Sequence, residues 1–242
     1  MNKDQKILMV IISLIAILAV GFGVYAYKNK DTKTCKNEET DAIKFKREYE
    51  TFNGKKYDNT DIEYFTVNLS NKNLFKYVSE KEAVKFLKEG TGIIYFGFPQ
   101  CPWCRTLVPY LEEVARLNGV EEIKYLNILD IRDSYKVENK KVITDKKGTD
   151  EYYEILKILD KYLEEFSVTD QAGKKYTTGV DRLYAPTIVV VKDGEIVSFH
   201  EGTVESQEKF VPLTEEEQKE LKNILNEKIS VISNTVCTDK AC

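Results

Sequence analysis

The run Gly92-Ile-Ile-Tyr-Phe-Gly-Phe98, followed almost at once by Cys101-Pro-Trp-Cys104, constrains this chain more than any other segment. A short, unbroken apolar run is what a central strand requires, because both of its faces are covered. Residues from Pro102 to about Asn118 then read as a helix that stops at Gly119. Two thiols therefore fall where a buried strand hands over to a helix.

The remaining elements fit around this unit. Glu39 to Phe52 repeats Ile43, Phe45, Tyr49 and Phe52 at helical spacing, with Asn53-Gly54 as its stop. Phe65, Val67 and Leu69 alternate with polar residues, as in a half-buried strand. Ser79 and Glu82 form a capping-box pattern that opens a helix over about 80 to 89. Ile123 to Leu129 reads as a strand, residues 132 to 148 as a charged loop, and Asp150 to Phe166 as an amphipathic helix. Residues 167 to 183 are polar and can form a hairpin around Ala172-Gly173. Thr187 to Val191 and Ile196 to His200 form two strands joined by the turn dipeptide Asp193-Gly194, before a final helix over about 214 to 228. The order β-α-β-α-β-α-β-β-α predicts an α/β domain with right-handed parallel connections, closed by an antiparallel hairpin.

The spacing of Cys101 and Cys104 serves redox chemistry in two ways. On a first helical turn, positions i and i+3 bring the sulfurs within reach of a reversible disulfide. The helix start supplies free N–H groups and a positive dipole end that favour the Cys101 thiolate. Pro102 suits the first helical position, where its missing donor is harmless, and Trp103 offers an apolar surface beside the sulfur. Cys101 is then the nucleophile, and Cys104 resolves the mixed disulfide. A zinc site would need two further ligands, and Cys237 and Cys242 are atypically spaced for it. A purely structural disulfide would close a very short loop and stabilise little. No metal or cofactor is expected.

The segment Phe96-Gly-Phe-Pro-Gln-Cys-Pro-Trp-Cys-Arg105 resembles the active-site segment of the thioredoxin superfamily. Pro109 matches the proline inside the active-site helix of many members, and Ala185-Pro186-Thr187 resembles the cis-proline loop that packs on the cysteines. The phrase from Arg182 to Gly194 is also similar to the bacteriocin-transport-accessory branch of Gram-positive thioredoxin-like proteins. The resemblance spans about residues 62 to 228. It implies a thioredoxin-like fold, a central mixed sheet flanked by helices, with an α-helical insertion at 132–184 before the cis-proline. It further implies that Ala185 pairs with an extended substrate chain and that Gly202 lies beside the substrate groove. One departure stands out: Tyr95 occupies the position where thioredoxins carry a buried carboxylate, six residues before the first cysteine. Pro-Trp between the cysteines is closer to the Pro-aromatic pairs of glutaredoxins than to Gly-Pro.

The N-terminus carries an address. Ile7 through Tyr27 contains no charged residue, and about 20 apolar residues cross a bilayer core of about 30 Å. Lysines on both sides fix orientation poorly, but so short a leading tail favours export of the chain behind it. Cleavage after Ala26 is the alternative. The sequence thus divides into a membrane anchor (1–27), a tether with a juxtamembrane helix (28–60), a thioredoxin-like domain (61–230) and a cysteine-bearing tail (231–242). Cys237 and Cys242 can form a small second disulfide, or a second redox pair, and Cys35 is then left over from an odd total of five cysteines. His200 is expected to pack at a strand end, and Arg105 to lie on a solvated helix face.

With 36 basic and 40 acidic residues dispersed along the chain, no basic patch suggests nucleic acid as a partner. Two functions remain. One is an anchored thiol–disulfide oxidoreductase acting on exported protein thiols or disulfides, recharged by a separate redox partner. The other is a redox-inert thioredoxin-like module accessory to an export machinery.

Overall fold

The computed structural model describes residues 39–58 and 60–233. The apolar run 7–27, Cys35, Cys237 and Cys242 lie outside them, and among the described residues no helix is long and apolar enough to cross a membrane.

Five strands form the central sheet: β1 (Phe75–Tyr77), β2 (Gly92–Gly97), β3 (Ile123–Asn127), β8 (Thr187–Lys192) and β9 (Glu195–Glu201). They lie in the order β1-β3-β2-β8-β9. The first three run parallel, whereas β8 pairs antiparallel with β2, and β9 antiparallel with β8. Thus β2 is central, with Ile93 paired to Ile123 on one side and Val190 on the other. Its alternation divides the core in two. Ile93 and Tyr95 face α1 (Asp41–Glu50), α3 (Pro102–Leu117) and α5 (Glu215–Ser233). Ile94 and Phe96 face α2 (Glu80–Glu89) and α4 (Asp150–Leu159). The result is a mixed sheet between two helical layers.

Local chemistry starts the elements where the sequence places them. Ser79 Oγ accepts the Glu82 N–H while the Glu82 carboxylate accepts the Ser79 N–H, completing the capping box of α2. Asp193 and Gly194 both have positive φ, 51° and 79°, as the tight turn between β8 and β9 requires. The helix α5 runs on to Ser233, past the expected end near 228.

Four expectations need correction. The segment around Phe65, Val67 and Leu69 alternates in burial, with Val67 and Leu69 buried and Phe65 half-buried, but joins no strand. Its backbone is satisfied by side chains instead: Asn53 bonds both the N–H and the C=O of Val67, and Glu50 accepts from Leu69. The edge position goes to β1. The segment 132–184 is not helical throughout, because hairpins β4–β5 (Ser134–Glu138, Lys141–Lys146) and β6–β7 (Glu164–Thr169, Lys175–Arg182) flank α4. The helix expected to reach Phe166 ends at Leu159, since cross-strand pairing from Glu164 onward overrides the helical spacing of Leu163 and Phe166. Finally, α1, expected outside the domain, packs into its core: Phe45 and Tyr49 are fully buried against Phe75, Tyr95 and Tyr125, while Ile43 points outward.

Candidate active site

Both cysteines sit where β2 gives way to α3, and both are free thiols. Cys101 is the N-cap of α3, and Pro102 opens the helix. The Cys101 Sγ accepts the backbone N–H of Cys104 at 3.3 Å, doing the work that Ser or Asp does at other helix starts. Its exposure is 4%, and that of Cys104 is 0%.

Their environments push the two thiols apart. Burial acts to raise the Cys101 pKa, but the Cys104 thiol, the N–H groups of Cys104 and Trp103, and the Arg132 charge together bring it below its ordinary value. Cys104 is driven well above its ordinary value by burial first, then by Cys101. Cys101 is therefore the better thiolate and Cys104 the protected partner. Such a division is what a nucleophile and a resolving thiol require.

The second wall of the site comes from the loop that leads into β8, the antiparallel neighbour of β2. The Ala185–Pro186 peptide is cis, and the Cys101 thiol donates to the Ala185 carbonyl at 3.3 Å. Trp103, Ala185, Pro186 and Gly202 line one groove of about 380 Å³ together with Glu201 and Gln207. The Gly202 N–H bonds the Pro186 carbonyl at 2.9 Å and fixes the groove floor. Thr187 is not exposed to the groove: it is fully buried, and its hydroxyl donates to the Tyr184 carbonyl at 2.9 Å.

Several residues at the site escaped the sequence reading. Arg132, which follows β3, lies over the Phe98 ring at 4.7 Å and acts electrostatically on both cysteines. Nothing in its charged surroundings distinguished it. Glu201 borders the groove from the exposed end of β9, its pKa raised to about 7 by desolvation first and then by Glu164, against a Tyr184 N–H that opposes the shift. Beneath Cys104 lie Tyr49, Tyr95 and Tyr125, whose pKa values burial raises further. Tyr95 was noted for what it replaces, but Tyr49 belonged to a segment assigned outside the domain.

Arg105 is a correction. It is not solvated but fully buried, donating to the Tyr49 carbonyl (2.6 Å), Asn53 Oδ1 (2.6 Å) and the Phe65 carbonyl (2.8 Å). It ties the end of α1 and the following loop to the cysteine-bearing helix. His200 lies in β9 opposite Ile188, and burial, then the Lys228 charge, lower its pKa and favour the neutral ring. Among the described residues, no cluster of metal-ligating side chains occurs.

No protein-family model matches this chain, and no curated protein matches it in sequence.

Proposed function

We propose that this chain is a thioredoxin-like thiol–disulfide oxidoreductase, acting on exported protein substrates through Cys101 and Cys104. One observation carries the proposal: a buried thiol at the start of α3, its pKa lowered, bonds directly to the cis-proline loop at Ala185–Pro186, beside a groove. The sheet order β1-β3-β2-β8-β9, with its last two strands antiparallel, supports the thioredoxin-like assignment. In the forward exchange, the Cys101 thiolate attacks a substrate disulfide, forms a mixed disulfide and expels one substrate thiolate. Cys104 then attacks Cys101 Sγ, expels the second, and leaves the enzyme disulfide; the reverse sequence oxidises a substrate dithiol. The groove beside Trp103 and Pro186 receives the substrate chain, and residues 7–27 hold the domain at the membrane on its extracytoplasmic side.

The small exposure of Cys101, 4%, favours a second role as a redox-inert binding module. An insulin-reduction or dithiol-oxidation assay on the full chain and on Cys101→Ser separates the two. The enzyme loses all turnover in the variant. Equal readings for both proteins would leave the binding module standing.

A further inference from the structure

Thiol exchange leaves the buried Cys104 sulfur with a problem. Whenever the Cys101–Cys104 disulfide opens, an electron pair lands on a sulfur with 0% exposure, and Tyr95, six residues before Cys101, is not a carboxylate. An unpaired charge in such a place is costly. The side chains on the sheet beneath it are phenolic instead. The Tyr95 ring shares the buried cluster around Cys104, where the two groups shift each other's ionisation, and its hydroxyl meets the Tyr49 hydroxyl at 2.8 Å. Space for that hydroxyl comes from Gly97, two residues along the same strand face, where a Cβ would collide with the Tyr95 oxygen. Phe75 and Tyr125 pack against the Tyr95 ring, with centroids at 5.8 and 5.5 Å.

We propose that Tyr95 is the hydrogen-bond donor that stabilises the Cys104 thiolate, oriented by Tyr49 and admitted by Gly97. This rests on the oxidoreductase role proposed above. When a substrate dithiol is oxidised, its thiolate attacks Cys101 Sγ, the Cys101–Cys104 bond breaks, and the electron pair goes to Cys104. Tyr95 donates to that thiolate without giving up its proton, as a phenol made harder to ionise by burial must. The second substrate thiol then passes its proton to Cys104 as it attacks the mixed disulfide. The substrate is oxidised by two electrons and the cysteine pair is reduced by two. In the opposite direction, the same hydrogen bond raises the thiolate fraction of Cys104 when it attacks Cys101. The titratable groups facing Cys104 are Cys101 on its own helix, Tyr49 on α1, Tyr95 on β2, Tyr125 on β3 and Arg132 beyond β3.

The test uses the full chain in detergent, with Cys35, Cys237 and Cys242 replaced by serine, and the chromogenic disulfide dithiobis-nitrobenzoate. Reduced protein releases one aryl thiolate when Cys101 attacks and a second when Cys104 resolves the mixed disulfide. In Tyr95→Phe, which keeps the ring, the first phase stays unchanged and the second slows about tenfold or more, with its pH midpoint moved upward. Tyr49→Phe, which removes the outer hydroxyl, slows the second phase by a smaller factor and serves if Tyr95→Phe does not fold. A second phase with unaltered rate and midpoint in the folded variants would overturn the role of Tyr95 alone. Absence of any second phase in the unsubstituted pair would instead overturn the oxidoreductase role itself, and this inference with it.

Discussion

The sulfur of Cys101 lies 3.3 Å from the carbonyl oxygen of Ala185, a residue 84 positions further along the chain. That contact joins the start of α3 to the loop that leads into β8. It exists because β8 pairs antiparallel with β2, Thr187 opposite Phe96, so the end of one strand and the beginning of the other meet at the same edge. The candidate chemistry depends on this meeting.

Cys101 should react as a partly ionised thiol despite its burial. In a chain lacking Cys35, Cys237 and Cys242, iodoacetamide should modify Cys101 with a half-maximal rate below pH of about 8.5, the value of a free thiol. Cys104→Ser removes the thiol that does most to lower the Cys101 pKa, and Arg132→Gln removes a nearby positive charge; both should move the midpoint upward. A midpoint indifferent to either change would refute this account of the thiolate.

Glu201 should make stability depend on pH. Its carboxyl titrates at about 7 in the folded protein, against an ordinary 4.5. The folded state therefore holds the proton more tightly than the unfolded state, so stability declines as pH rises from about 4.5 to about 7. Glu201→Gln should match the native protein near pH 4 and exceed it at pH 8, as read from urea midpoints. Glu164→Gln should weaken the effect, because Glu164 contributes to the raised pKa.

Arg105→Met should destabilise the fold by about 2–4 kcal/mol, since it strands three acceptors that the guanidinium now serves. Arg105→Lys should recover less than half of that loss, because a single ammonium cannot reproduce the planar fork. Chemical denaturation of the three proteins checks both statements.

Gly194→Ala should cost about 2 kcal/mol or more. The position needs a φ of 79°, and a Cβ there would strike the carbonyl of Lys88 at the end of α2. Urea denaturation measures the loss, and an unchanged midpoint would show that the turn relaxes freely.

Much of the fold was legible where the determinants are local. Ser79 with Glu82, Pro102 at the start of α3 and Asp193-Gly194 each specify a boundary through bonds or dihedrals within a few residues. The unbroken run ending at Gly97 likewise announced a strand covered on both faces. The segment at Phe65, Val67 and Leu69 misled because alternation reports burial, not a strand partner, and Asn53 and Glu50 took up its backbone groups. The end of α4 misled because Leu163 and Phe166 satisfy two periods, and the pairing of β6 with β7 chose between them.

The sequence by itself determined the pair Cys101-Pro-Trp-Cys104 at a strand-to-helix junction, the helix caps and the apolar layers, all of which depend on nearest neighbours and periodicity. The tertiary structure decided what surrounds the sulfurs: Ala185 across from Cys101, Arg132 near both, Tyr95 and Tyr49 beneath Cys104, and Arg105 turned inward. Apart from Tyr95 with Cys104, those relationships join residues tens of positions apart, through strand order and buried hydrogen bonds. No local spacing encodes them, because burial and charge act through space and not along the chain.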